Sequence, residues 1–243
     1  MNKMAILIVF VVIALVTGAC GLDVNLGVDR GSGNVITQTR DVSGFDRVSL
    51  SGIGDVELVQ GDREELRIEA EDNIIEQITT EVVDGELRIG FDRKTIIPTK
   101  DITFYLTMRE VRGLHTQGVS NITANQINTD TLDIGISGTG NIDIRQLEAQ
   151  EMKVNVSGAG NFNAEGQVQS QQISLSGAGN YEGEDLQSAT ASVTITGLGR
   201  VTLWVTDDLD VTISGTGGVD YYGNPQVSQQ ISGLGRVRHQ GDK

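Results

Sequence analysis

Gly177-Ala178-Gly179-Asn180-Tyr181-Glu182-Gly183 comes within one residue of the GxGxxG spacing with which a glycine loop presents a phosphate to a helix N-terminus, its third glycine standing one position late. No apolar pattern of period 3.6 follows it, so no helix is expected to receive a phosphate. A calcium β-roll nonapeptide needs an aspartate two residues after its last glycine; Gly138-Thr139-Gly140-Asn141-Ile142-Asp143 places it three after. The near-neutral bases are His115 and His239. Asp133, Asp143, Asp210 and Asp220 are carboxylates of the kind a polysaccharide lyase or hydrolase would use in a groove. Each stands at an outward position of an alternating segment, where solvation is the expectation, and His115 reads as a surface or packing residue. No catalytic residue, metal site or cofactor is assigned. Carbohydrate-active enzyme remains the third-ranked class.

Cys20 is the single cysteine, which excludes an intramolecular disulfide. It follows Lys3, an unbroken apolar run from Ala5 to Val16, and the small residues Gly18 and Ala19. The pattern reads as an export signal over residues 1–19, too short for a comfortable membrane span. Thr17-Gly18-Ala19-Cys20 resembles a bacterial lipobox, although Thr17 stands where Leu or Val is usual; ordinary cleavage leaving a free cysteine is the alternative. A lipobox implies acylation of Cys20, a membrane as partner and an envelope location, with multiple acyl chains giving firm attachment. Gly21 after Cys20 lacks the Asp that would argue for inner-membrane retention. Residues 20–40, rich in Gly, Asn and Asp, are expected to be a tether.

The net charge of −15, with 33 Asp and Glu against 18 Lys and Arg, argues against nucleic acid and against direct docking on anionic lipid. The acidic balance is most simply a solvating surface.

The elements that would position any site are set by a repeat. Ser-Gly-x-Gly occurs at Ser51, Ser137, Ser157, Ser176, Ser214 and Ser232, with a variant at Thr196 and a degenerate form at Gln117. From Gln117 the starts are 20, 20, 19, 20, 18 and 18 residues apart, a period that signals stacked coils of a solenoid. Alternating segments such as Leu132-Asp133-Ile134-Gly135-Ile136 precede each mark and shorter ones such as Ile142-Asp143-Ile144 follow it. A period of two with one apolar face predicts half-buried strands. The glycine pairs are Gly52 and Gly54, Gly138 and Gly140, Gly158 and Gly160, Gly177 and Gly179, Gly197 and Gly199, Gly215 and Gly217, and Gly233 and Gly235. They fit a sharp reversal through positive φ or close backbone approach. The Ser or Thr opening each mark, and Asn141, Asn161 and Asn180 after it, are expected to form ladders between coils. Phe162 and Tyr181 share one offset from the mark, as a glycan-stacking row on an exposed sheet would, whereas Trp204 does not.

Residues 41–114 are less regular. Glu64 to Ile78 is the one stretch with helical character, yet Leu66 to Ala70 also alternates like a strand; Asp84-Gly85 signals a hairpin and Asp101 to Met108 a strand. These are expected to be elaborated first coils and a cap over the stack end, followed by regular coils over 115–243.

The combination DVSGFDRVSLSGIGDVELVQGD, the VDGELRIGF hairpin and the series SGTGNI, SGAGNF, SGAGNY resembles the putative auto-transporter adhesin family, head GIN domain, over residues 41–243. The resemblance implies a right-handed parallel β-helix, all-β, with a non-catalytic adhesion role toward a surface glycan or protein. A structural or regulatory envelope component without a ligand of its own is the alternative function. Oligomeric state is left open.

Overall fold

The computed structural model describes residues 29–92 and 95–243; the segment 1–19 expected to be an export signal, and Cys20, lie outside the described residues. Strands β1 (Asp29–Arg30) and β2 (Val35–Arg40) lead into the long β3 (Arg47–Gln60). Next come β4 (Glu65–Glu71), the single turn α1 (Asp72–Ile75), β5 (Ile78–Val83), β6 (Glu86–Phe91), β7 (Ile96–Ile97) and β8 (Thr103–Met108). The regular coils are β9 (Gly113–Ala124), β10 (Ile127–Ile136), β11 (Asn141–Val156), β12 (Asn161–Leu175), β13 (Asn180–Ile195) and β14 (Leu198–Ile213). Strands β15 (Thr216–Tyr222), β16 (Gln226–Ile231) and β17 (Arg236–Gly241) make the final coil and a half.

The coils stack as a β-solenoid of about six turns. Every pairing from β9 to β17 is parallel, and outside a few local register shifts residues sit over their equivalents one repeat earlier: Ile142, Phe162, Tyr181, Val201 and Val219 form one inward row. Ile136, Val156, Leu175, Ile195 and Ile213 form another. All ten are buried, so the alternation in sequence becomes an apolar column with one side chain per coil. Phe162 and Tyr181 belong to this column, with rings stacked at 5.3 Å between centroids. They are not an exposed aromatic row, because the parity that buries Ile142 buries them too.

The Gly-x-Gly corners differ between the first coil and the later ones. Positive φ occurs at Gly52 (141°) and Gly54 (140°), and at Gly118 (126°) of the degenerate mark, but at no glycine pair from Gly138 onward. In the regular coils the requirement is space. A Cβ on Gly158 would fall 2.0 Å from the carbonyl oxygen of Gly138, and one on Gly177 2.0 Å from that of Gly158. The corner backbones hydrogen-bond directly to the coil before, as in Ala159 N–H to Gly138 O at 2.9 Å and Ala178 N–H to Gly158 O at 2.9 Å. A side chain pointing toward the neighbouring coil would displace that bond.

The asparagine ladder forms. Asn121 donates to Asp55 at 2.7 Å, Asn141 to Asn121 at 3.1 Å, Asn161 to Asn141 at 2.9 Å and Asn180 to Asn161 at 3.0 Å. Serine hydroxyls make no such ladder; Ser137 Oγ instead donates to the backbone of Thr116 at 3.2 Å.

The N-terminal edge of β3 is covered by β6 and β8, both parallel to it. Beyond them the pairing turns antiparallel, β4 on β8, β2 on β4 and β5 on β6, so the cap uses hairpin geometry and offers no further parallel template. Asp84 (φ 52°) and Gly85 (φ 77°) make the β5–β6 hairpin turn. The stretch from Glu64 to Ile78 divides as its pattern does, β4 then α1. Part of the segment 20–40, expected to be a tether, is strand. Val35 to Arg40 pairs with β4 as a cap strand, and the alternation is muted because five of its six residues are exposed on both faces. Glu71 binds the cap to the leading segment. Its carboxylate accepts from Gly33 N–H at 2.6 Å, from Thr99 N–H at 2.8 Å and from the Thr99 hydroxyl. Burial pushes the Glu71 pKa up, but these bonds outweigh it and hold the carboxyl below its ordinary value.

At the corners, Gly177→Ala is expected to cost on the order of 3 kcal/mol, because the new methyl meets backbone on a coil held from both sides. Gly233→Ala, which meets the Gly215 oxygen at 2.1 Å in a coil with one neighbour, is expected to cost roughly a third as much. Urea denaturation of both variants measures the difference; equal losses would mean that position in the stack is irrelevant.

Candidate functional site

Two outward rows flank one face of the regular coils. The first holds Asp133, Lys153, Gln172, Ser192 and Asp210; the second, two residues earlier in each strand, holds Thr131, Glu151, Ser170, Thr190 and Asp208. Between them the side chains of Leu132, Met152, Gln171, Ala191 and Leu209 turn inward and are buried. A groove of about 450 Å³ runs here across the strands, from Arg112 at one end to Asp208 and Asp210 at the other. Its walls are hydroxyls, amides and carboxylates with two cations, Arg112 and Lys153. Such a surface offers a ligand many donors and acceptors in register.

The floor is anchored from inside. Gln171 is 3 % exposed; its Nε2 donates to Ser188 Oγ at 2.7 Å and its Oε1 accepts from the Tyr181 hydroxyl at 2.5 Å. Ser188 Oγ donates on to the Trp204 carbonyl at 3.2 Å. Tyr181 is wholly buried, and loss of solvation drives its phenol far above the ordinary range, so it stays a neutral donor. This polar cluster coincides with irregular register on both sides of β13, between Asn163 and Gly166 and between Gly183 and Thr190.

Of the carboxylates singled out from sequence, Asp133 and Asp210 lie in the groove and Asp143 accepts from Asn163 Nδ2 at 3.1 Å on another face. Asp220 departs from the expectation of solvation, being 6 % exposed. Arg238 of the following coil folds over it, Nε and Nη2 donating at 2.7 and 3.0 Å, with Gln240 at 3.1 Å and Arg200 Nε at 3.9 Å. The Arg238 bonds, outweighing burial, hold the Asp220 carboxyl below its usual value. His115 packs, as expected, its ring lying where a Cβ on Gly135 would meet Cδ2 at 2.9 Å. Its nitrogens face Glu86 at 3.3 Å and Asp133 at 3.7 Å. His239 stacks on Tyr221 with centroids 5.0 Å apart. The two histidines therefore occupy separate packing sites. Among the described residues no group of three or more His, Cys, Asp or Glu is placed to hold a metal ion.

Most of the groove residues escaped the sequence reading. The available signal was their constant offset: the first row stands four residues before each mark and the second row six before, and both columns are polar throughout.

Parallel coils, glycine corners and a polar groove running across the strands define a β-solenoid with the character of a binding scaffold. The chain belongs to the putative auto-transporter adhesin family, head GIN domain, whose sequence pattern matches residues 44–225. Among solved structures it is similar to a putative adhesin from Bacteroides fragilis, at 28 % identity and a TM-score of 0.83, with 86 % of this chain and 99 % of that one covered. A putative lipid binding protein from Parabacteroides distasonis shares the fold at 22 % identity and a TM-score of 0.71, covering 86 % of this chain and 98 % of that one. A putative adhesin from Parabacteroides merdae does so at 20 % identity and 0.68, with the same coverage. A comparison with curated proteins gave no match.

Because Tyr181 supplies a donor that Gln171 cannot replace, Tyr181→Phe is expected to destabilise the solenoid by about 1–3 kcal/mol while leaving its far-ultraviolet circular dichroism unchanged. Chemical denaturation measures it; an unaltered midpoint would show that the buried cluster contributes nothing.

Proposed function

We infer that this protein is a cell-surface adhesion module whose ligand is a hydroxyl-rich, predominantly uncharged polysaccharide laid along the solenoid axis in the groove. The observation that carries this reading is the groove itself: two polar rows in register across five strands. At about 4.8 Å per strand the rows span roughly 19 Å, enough for a short oligosaccharide. Carboxylates such as Asp133 and Asp210 accept from sugar hydroxyls, Gln172 and Lys153 donate to them, and the excess of acids over bases along the walls repels a polyanion. Family membership and the Bacteroides fragilis relative support adhesion as the role. The groove is read as a holding surface with no reacting group.

The same reading places the protein outside the cell membrane and attached to it through lipid on Cys20, supported by the sequence Thr17-Gly18-Ala19-Cys20 behind an apolar run. Among the described residues no helix is long and apolar enough to cross a membrane.

Screening the full chain on an array of neutral and charged glycans is expected to give binding to neutral oligosaccharides, weakened at least tenfold by Asp133→Ala and Asp210→Ala together. Binding that survives both substitutions, or no glycan binding at all, would remove the groove as the ligand site. For the anchor, cells fed a fatty-acid analogue are expected to label the natural chain and not Cys20→Ser. Equal labelling of the two would end the lipoprotein reading.

A further inference from the structure

The outward row that carries the asparagine ladder changes character in its last three coils. Asp55, Asn121, Asn141, Asn161 and Asn180 are succeeded by Arg200, then Gly218, then Arg236. Gly218 leaves the row empty between two guanidinium groups. A Cβ there would have Arg236 O at 3.5 Å as its nearest neighbour, so no close backbone approach demands glycine at this position, unlike the corner glycines. The gap opens into a concavity of about 640 Å³, separate from the groove described above and within the range of small-ligand sites.

The charges around it are arranged in advance. Asp220 is spoken for by Arg238 and Gln240, which fixes the Arg238 guanidinium through two bonds and draws Arg200 to 3.9 Å. Arg236 is exposed and makes no ion pair with any described residue. Three of the six basic residues after position 114 thus line one hollow of a chain with net charge −15. With the Tyr181 hydroxyl turned to Gln171, the remaining lining groups able to hydrogen-bond through side chains are Asn180, Thr202, Thr216 and the carboxylate of Glu182. Glu182 decides the chemistry. A bare inorganic anion would pair with the arginines and leave Glu182 without a donor, whereas a hydroxylated ring bearing one acid group could offer Glu182 a hydroxyl and Arg236 the acid.

We propose that the hollow between Arg200 and Arg236 is a binding site for an acidic sugar, a pyranose carrying a single carboxylate. The carboxylate occupies the space left by Gly218 and accepts from Arg236 and Arg200, while the ring hydroxyls meet Glu182, Thr202 and Asn180. This site is independent of the groove and takes the opposite class of saccharide. A polymer containing both neutral and acidic residues could engage both.

The test is titration calorimetry on the full chain in detergent with glucuronate, glucose and inorganic phosphate as probes. Glucuronate is expected to bind at least tenfold more tightly than glucose, with phosphate at equal concentration failing to displace it. Arg236→Ala, an exposed change, is expected to weaken glucuronate at least tenfold with no shift in melting temperature. Gly218→Leu, which fills the row against an ordinary 3.5 Å contact, is expected to abolish binding and leave the fold intact. Asp133→Ala in the groove should leave glucuronate binding unchanged. Equal affinity for glucose and glucuronate, displacement by phosphate, or full binding by either Arg236→Ala or Gly218→Leu would overturn the proposal.

Discussion

The structure depends on the distance at which one parallel strand accepts hydrogen bonds from the next, about 4.8 Å. Once every coil must sit that close to its neighbour along its whole length, the corners become the hardest part to build. A strand can absorb the spacing because its side chains leave perpendicular to the bonding direction. A corner turns its backbone, and a Cβ there points at the neighbouring coil. The distances of 2.0–2.1 Å between a hypothetical Cβ and the glycine oxygen beneath it at Gly138, Gly158 and Gly177 are the direct expression of this conflict. Glycine resolves it, and the corner N–H groups then find the carbonyls of the previous coil. Buried rows, asparagine ladder and groove all inherit their register from those corners.

The two ends of such a stack face a problem that the middle does not have, since the last coil on each side lacks a partner for one edge. The two ends differ here. At the N-terminal end the chain departs from the coil path and returns as antiparallel strands, with the buried Glu71 carboxylate gathering N–H groups from two segments that have no strand partner there. At the other end the coil pattern simply continues, with β16 exposed along its length and Leu234 83 % exposed at its corner. The ion pair of Asp220 with Arg238 lies in this region, where the apolar column thins to Val219 and side chains cross between coils instead.

Much of this was legible in the sequence, for a physical reason: a solenoid repeats its constraints, so its sequence repeats its solutions. The corner glycines and the alternation could be read because each recurs from coil to coil, and the asparagine column because it recurs in successive coils at Asn141, Asn161 and Asn180. Why the glycines are required could not be read, since positive φ and close approach select the same residue, and only the dihedral angles separate Gly52 from Gly158. Phe162 and Tyr181 were readable in principle. Their parity matches Ile142, which faces inward, and parity outweighs the appeal of two aromatics in register. The groove was hidden because it belongs to no single strand; it exists only when residues about twenty apart are placed side by side. Asp220 was hidden because its burial comes from Arg238, eighteen residues on. The strand over Val35 to Arg40 lacked an apolar face to announce it.

The repeat of 18 to 20 residues with matching Gly-x-Gly corners makes neighbouring coils interchangeable. Because Gly140 and Gly160 occupy equivalent places, the segment between them is a self-contained unit whose two junctions match each other. Duplication or loss of such a unit in the gene would rejoin strand to corner without disturbing the hydrophobic parity, and would lengthen or shorten the stack by one step of about 4.8 Å. Proteins of this design can therefore vary in reach by whole coils, in the way a ruler is cut at its divisions. Each coil gained or lost would lengthen or shorten the polar rows by one residue together with the stack.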